Sequence, residues 1–375
     1  MAPQILISAG EPSGEMYAAQ LATALRAHTG AHLFGLGGPQ MREAGVELLA
    51  DSSQVAVVGI SEVMRRLPAV WRIYRQLGDE AARRKPDLAI LVDFPDFNLR
   101  LARRLHAQGV RVVYFISPQV WAWRPSRVHL MKRLVERVLC IFPFEERFYR
   151  NAGVPVDFVG HPLVDSVRPR TAREELCAQF GFDPADPLIA LLPGSRPSEL
   201  AHNFPTILDA CRKLIRLKPG NRNLLVGVAP GLPESELARY ASPDLWVYLA
   251  VGRTYDALAA ADVSIVASGT ATVEAALLQA PMVVVYRVSA MTAFIARRLV
   301  RTPHFAMVNL IAERRVVPEL IQEDFTAEAV ARELHRLLTD SVAREQMKRD
   351  LAEVRARLGP GGAIERAAEI IAGML

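Results

Sequence analysis

The run Asp87-Leu-Ala-Ile-Leu-Val92 contains no polar residue from Leu88 to Val92. A strand with one wet face alternates apolar and polar side chains, whereas an unbroken apolar strand is covered on both faces, as in a parallel sheet between helices. Parallel strands require crossover connections, so this stretch directs the chain toward an α/β fold. Ligands of such sheets lie just beyond the carboxyl ends of the strands. Asp93, which opens Asp93-Phe-Pro-Asp96-Phe-Asn98, is the first polar side chain past that end. A carboxylate there can act as a base, hold a metal or a hydroxyl, or cap the following helix.

The rest of the chain repeats the pattern. Ile5–Ser8, His32–Gly35, Leu88–Val92, Val112–Ile116, Val138–Ile141 and Asp157–Val159 read as strands. Met16–His28 and Arg100–Gln108 between them carry helical spacing of apolar residues. Turn residues cluster at Gly160-His-Pro162 and Asp183-Pro-Ala-Asp-Pro187, and a second series follows: Leu188–Leu192, Asn223–Val228, Leu245–Leu249, Val263–Val266 and Pro281–Tyr286. Alternation of this kind implies two doubly wound units with a cleft between them. Thr326 to Leu375 reads as helical, broken at Gly359-Pro-Gly-Gly362.

A length of 375 residues agrees with two domains, and 51% hydrophobic with 23% charged residues describes a globular chain. No segment has the ~20 consecutive apolar residues of a membrane span, and Met1-Ala-Pro-Gln leads into Ile5-Leu-Ile7 without a secretory signal. Cys140, Cys177 and Cys211 are far apart and lack metal-site spacing, as expected of reduced thiols in a cytoplasmic protein. The net charge of +5 favours anionic partners. Much of it lies in Val63-Met-Arg-Arg-Leu-Pro-Ala-Val-Trp-Arg-Ile-Tyr-Arg75, where arginines alternate with aromatic and aliphatic groups. Such a helix can lie in a lipid interface or pack on a core with a solvated basic face. Met291–Arg301 has a similar composition. Nucleic acid is disfavoured as a partner, because no standard recognition motif is present.

Two strand–turn–helix junctions in the second unit suit phosphate. In Leu191-Leu-Pro193-Gly194-Ser195-Arg196 the glycine admits close approach, the helix start offers free N–H groups, and Arg196 adds a fork of donors. In Val266-Ala-Ser268-Gly269-Thr270-Ala-Thr-Val-Glu274 the backbone of Ser268, Gly269 and Thr270 can face a diphosphate, and Glu274, one turn on, can hold ribose hydroxyls. Each junction alone also fits a purely structural turn. Neither is a Walker loop or a Gly-x-Gly-x-x-Gly fingerprint. In the first unit, Ser8-Ala-Gly10-Glu11-Pro12-Ser13-Gly14-Glu15 can form an anion nest or a close-packed substrate turn. Trp121 and Trp123, in Ser117-Pro-Gln-Val-Trp-Ala-Trp-Arg124, follow another strand end and suit either a sugar or acyl wall or core packing.

Taken in order, Ala9-Gly-Glu-Pro-Ser-Gly14, Gly38-Pro-Gln-Met41, Val58-Gly-Ile-Ser-Glu-Val63, Asp93-Phe-Pro-Asp-Phe-Asn98, Ser117–Arg124, Phe142-Pro-Phe-Glu145, Gly160-His-Pro162, Leu192-Pro-Gly-Ser-Arg196, Ser268-Gly-Thr270 and Asn309-Leu310 resemble the lipid-A-disaccharide synthases. The resemblance implies an inverting glycosyltransferase of the GT-B arrangement, with two Rossmann-like domains. It implies transfer of diacylglucosamine from UDP-diacylglucosamine to the 6-hydroxyl of diacylglucosamine 1-phosphate, without a cofactor or metal. On this reading Asp93 is the base, and Ser195, Arg196, Ser268, Gly269, Thr270, Glu274 and Asn309 form the UDP site. Gly10, Glu11, Ser13, Gly14, Trp121 and Trp123 lie on the acceptor side or shape its turn. Asp96 reads as a helix cap and His161 as a hinge residue. Glu15 stands where the family usually has Asp. The expected division is 1–165 for the acceptor and membrane-facing domain and 166–345 for the UDP-sugar domain. Helices in 346–375 are expected to pack back on the first domain, of the same or a partner subunit in a homodimer. The expected location is the cytoplasmic face of the inner membrane, held peripherally through residues 63–75.

Overall fold

A computed structural model describes residues 2–54, 60–123, 125–217, 219–289 and 302–375, with residues 12, 60–66, 123 and 125 described by backbone alone. The chain divides into two compact units, Met1–Pro162 with Gly359–Leu375, and Leu163–Leu358.

Among the described residues the first unit holds seven parallel strands: β1 Gln4–Ala9, β2 His32–Gly37, β3 Glu47–Asp51, β4 Leu88–Val92, β5 Val112–Phe115, β6 Arg137–Cys140 and β7 Val156–Phe158. Their order is β3-β2-β1-β4-β5-β6-β7. All five residues of β4 are buried, as its composition requires of a strand covered on both faces. The winding reverses between β1 and β4, where Ala9 pairs with Val92. The loops leaving these strands begin side by side at Gly10 and Asp93, at the topological switch point where doubly wound sheets bind ligands.

The second unit has six described strands: β8 Leu188–Leu192, β9 Asn223–Val228, β10 Tyr248–Val251, β11 Val263–Ala267, β12 Met282–Tyr286 and β13 Glu319–Ile321. The order β10-β9-β8-β11-β12-β13 puts the reversal between β8 and β11. Leu192 pairs with Val266, so the turns at Gly194–Arg196 and Ser268–Thr270 leave neighbouring strand ends. Both phosphate-type turns therefore flank one switch point.

Some expected boundaries move. The sequence suggests a strand over Leu245–Leu249, but Leu245 closes a tight bridge with Ser242 and β10 begins at Tyr248. The C-terminal return begins at Gly359, later than the expected 346. Helix Ser341–Arg357 belongs to the second unit, where it packs on helices Thr270–Leu277 and Met307–Ala312. Only the last helix, Ala363–Ala372, joins the first unit, against Pro12–Thr29.

Candidate active site

In the first unit, the chain leaves β4 through two consecutive left-handed residues, Asp93 at φ 45° and Phe94 at φ 47°. Neither is glycine, so the turn is strained and must be held by its surroundings. Asn98, wholly buried on helix Pro95–Ala107, does much of the holding. Its amide nitrogen donates to the carbonyls of Asp93 (2.9 Å), Val92 (3.1 Å) and Ser8 (3.3 Å). Its oxygen accepts from the Ser8 hydroxyl at 2.8 Å. The Tyr114 hydroxyl donates to the Asp93 carbonyl at 2.6 Å, and the Asp93 N–H lies 3.3 Å from the carbonyl oxygens of Phe115 and Ile116. The backbone of Asp93 is thus fixed at both its N–H and its carbonyl.

The Asp93 carboxyl has a pKa raised to about 7. Burial is the main cause, repulsion from Glu11 adds to it, and a hydrogen bond from the Phe94 N–H opposes it. Glu11 occupies the N-cap position of helix Pro12–Thr29 without making a side-chain cap. Ser13 is exposed on the first turn. A Cβ at Gly14 would sit 3.7 Å from that of Asp93, so this glycine directly neighbours the carboxylate arm. Gly10 has a different duty: a Cβ there would overlap the Phe94 ring, which stacks on Phe97 at 5.4 Å.

Glu15 turns away from this turn. Its buried carboxylate accepts the Gln40 N–H at 2.9 Å, at the start of helix Pro39–Glu43. Asp96 is not the expected helix cap, because Phe94 takes the N-cap position and Pro95 follows it. The Asp96 carboxylate, 79% exposed, pairs instead with Arg127 at 2.7 Å.

Trp121 is fastened from behind. Its indole N–H donates to Glu145 at 3.1 Å and its ring meets Phe144 edge-on at 4.8 Å. Glu145 is 1% exposed and also accepts from the Ser117 hydroxyl (3.0 Å) and the Phe142 N–H (3.3 Å). Burial raises its pKa to about 7 against these hydrogen bonds. His161 is buried against Phe142 at the end of the unit, and burial pushes its pKa down to about 3, so the ring is neutral. The Trp123 side chain, those of Arg65 and Arg66, and all of 291–301 lie outside the described residues.

In the second unit the turns differ in availability. The Ser195 N–H donates to Glu199 at 2.8 Å and its hydroxyl faces the same carboxylate at 3.5 Å. Arg196 is exposed, close enough for its charge to act on the Tyr286 phenol. The Ser268 N–H is also occupied, by the Val285 carbonyl at 3.0 Å. Gly269 and Thr270 are exposed at the start of helix Thr270–Leu277, where first-turn N–H groups lack intrahelical partners. Gly269 has φ 150°, and a Cβ there would meet nothing within 4 Å. Its requirement for glycine is conformational, and the space above it is open. One turn on, Glu274 accepts from the Tyr255 hydroxyl at 3.0 Å, and burial raises its pKa.

Asn309, expected at the nucleotide, is wholly buried with its amide fully engaged. The nitrogen donates to Val317 O (3.0 Å) and Glu319 (2.7 Å), and the oxygen accepts from Val316 and Val317 N–H at 2.8 and 3.0 Å. Its connection to the turn is indirect. Glu319 also accepts the N–H groups of Phe305 and Ala306 at 3.0 and 3.1 Å, and the Phe305 carbonyl accepts the Ser268 hydroxyl at 3.1 Å. Asn203 carries no signal in the sequence that marks it as a support of the other turn. Buried on helix Pro197–Leu217, it bridges the Pro193 carbonyl and the Arg287 N–H, each at 3.0 Å.

Comparison with known proteins places the chain in a family. The chain matches the lipid-A-disaccharide synthetase family over residues 5–371. It is 45% identical to the lipid-A-disaccharide synthase of Myxococcus xanthus, covering 100% of this chain and 98% of the relative. Against that of Acidobacterium capsulatum it is 48% identical, covering 100% and 97%. Among solved structures, Acinetobacter baumannii MurG aligns with a TM-score of 0.61 at 15% identity over 99% of both chains. The UDP-GlcNAc 2-epimerase of Neisseria meningitidis, bound to UDP-GlcNAc, aligns with a TM-score of 0.65 at 13% identity over 99% of both. These structural likenesses show the GT-B-type α/β fold, and the sequence likenesses show more: the chain belongs to the lipid-A-disaccharide synthase family of glycosyltransferases.

Proposed function

We propose that in this lipid-A-disaccharide synthase Asp93 is the general base of a single inverting displacement. Its carboxylate takes the proton of the 6-hydroxyl of diacylglucosamine 1-phosphate as that oxygen bonds to the anomeric carbon of UDP-diacylglucosamine. The bond from that carbon to the diphosphate breaks, and its electron pair leaves on UDP. Arg196 and the N–H groups of Gly269 and Thr270 receive the developing negative charge, and Glu274, oriented by Tyr255, holds the ribose hydroxyls. No metal takes part in this scheme. Among the described residues no three His, Cys, Asp or Glu side chains gather to hold an ion. The membrane surface is met by the helix containing residues 67–75, and exchange of Gly359–Leu375 between copies would make the homodimer.

The observation carrying the base assignment is a switch-point carboxyl whose pKa lies at about 7, near the pH at which a base must both accept and hold a proton. Asp93→Asn should retain UDP binding and lower kcat by roughly 10²–10⁴. In the wild type, kcat/KM should fall as pH drops through about 7, because protonation removes the base. Near-normal turnover of Asp93→Asn would refute the assignment. Activity should persist in EDTA; loss that magnesium restores would refute the metal-free scheme.

A further inference from the structure

We propose that Phe305 is an acyl-contact residue of the donor site, receiving a hydrocarbon chain of the acylated UDP-sugar beside the phosphate turn. The proposal rests on the reading that Gly269 and Thr270 hold the diphosphate. Phe305 is an apolar side chain left 48% exposed, while the residues after it turn inward, with Ala306 and Val308 fully buried. Its backbone is nevertheless fixed on both sides. The carbonyl accepts from the Ser268 hydroxyl (3.1 Å), and the N–H donates to Glu319 (3.0 Å), which Asn309 holds in turn at 2.7 Å. A phenyl ring is thus presented to solvent one hydrogen bond away from the turn.

Strand order says which end of the donor it meets. Tyr255 follows β10 and reaches Glu274 after β11, so with Glu274 holding the ribose as proposed the ribose end of the diphosphate lies toward that side. Phe305 lies on the chain between β12 and β13 and is tied to Glu319 at the start of β13, on the opposite side of β11. The sugar end of the donor therefore projects toward Phe305. Phosphates and sugar hydroxyls gain little from an exposed phenyl ring. Acyl chains on the sugar gain by removing that ring, and themselves, from water.

Because both hydrogen bonds of residue 305 are made by backbone, Phe305→Ala removes the ring and spares the relay. Donor kinetics with a long-chain and a short-chain UDP-diacylglucosamine, together with calorimetric UDP binding, test the idea. Phe305→Ala should lower kcat/KM for the long-chain donor about tenfold, lower it less for the short-chain donor, and leave the UDP dissociation constant unchanged. Phe305→Leu should recover most of the loss. An equal loss on both donors, no loss, or weakened UDP binding would overturn the proposal. If Gly269→Val leaves UDP binding unchanged, the diphosphate reading beneath it fails instead.

Discussion

The conformation of Asp93 and Phe94 is expensive for residues with a Cβ, roughly 1–2 kcal/mol each in the left-handed region. Asn98 and Tyr114 offset it by fixing the carbonyl of Asp93, and Gly10 gives Phe94 room to pack. Asn98→Ala would take this partner from the Ser8 hydroxyl and the Val92 carbonyl and leave the Asp93 carbonyl held by Tyr114 alone. A loss of about 1–3 kcal/mol is expected by urea unfolding, with kcat falling while UDP binding is unchanged. An unaltered kcat would show that Asn98 only stabilises the fold. Asp93 itself was legible in the sequence, because an apolar run that stops at a carboxylate marks a strand end. Its supports were harder to read. Asn98, like Asn203 in the second unit, is an ordinary polar letter until the fold buries it among backbone groups that need partners. Asn309 shows the converse: resemblance drew attention to it, yet its amide serves the loop at 316–317 and Glu319.

Among the elements, helix Ile60–Arg84 packs one face on the core and leaves a basic, apolar face exposed. Ile73, Leu77 and Ala81 face the core, whereas Leu67 is 46% and Trp71 59% exposed, with Arg72 and Arg75 also outside. Trp71 stacks on Tyr74 at 5.1 Å, leaving an aromatic surface flanked by cations. No described helix is long and apolar enough to cross a membrane. If this one lies on an anionic bilayer as proposed, each arginine near the surface contributes about 1 kcal/mol. Replacing Leu67 and Trp71 by Ser, or Arg72 and Arg75 by Gln, should reduce flotation with vesicles containing anionic lipid, and salt should weaken the wild-type interaction. Flotation equal to wild type in both double variants would remove the helix from membrane binding. The central strands were readable because covered strands are continuously apolar. The short edge strands β3 and β13 are only partly covered, and their mixed composition resembles that of loops.

At the scale of the whole molecule, the first unit is assembled from both ends of the chain. Ala363, Ala367, Ala368 and Ile371 on the last helix are fully buried. His28 and Glu365 meet at 3.0 Å, the Arg366 guanidinium donates to the Val159 carbonyl at 2.7 and 3.0 Å, and Arg111 donates to the Met374 carbonyl at 2.5 Å. Burying Ile371 alone contributes about 1.5–3 kcal/mol. The partner of the last helix is Pro12–Thr29, whose first turn places Gly14 beside Asp93. A chain ending at Leu358 should therefore lose hydrogen-exchange protection in residues 12–29 and lose turnover. Its second unit, Leu163–Leu358, is intact, so UDP should bind with the full-length dissociation constant. Full protection of residues 12–29 in the truncated chain would refute the dependence of the base's surroundings on the C-terminal helix. Adding the missing segment as a peptide should restore turnover, because the contacts of that segment with His28, Val159 and Arg111 all lie within the first unit.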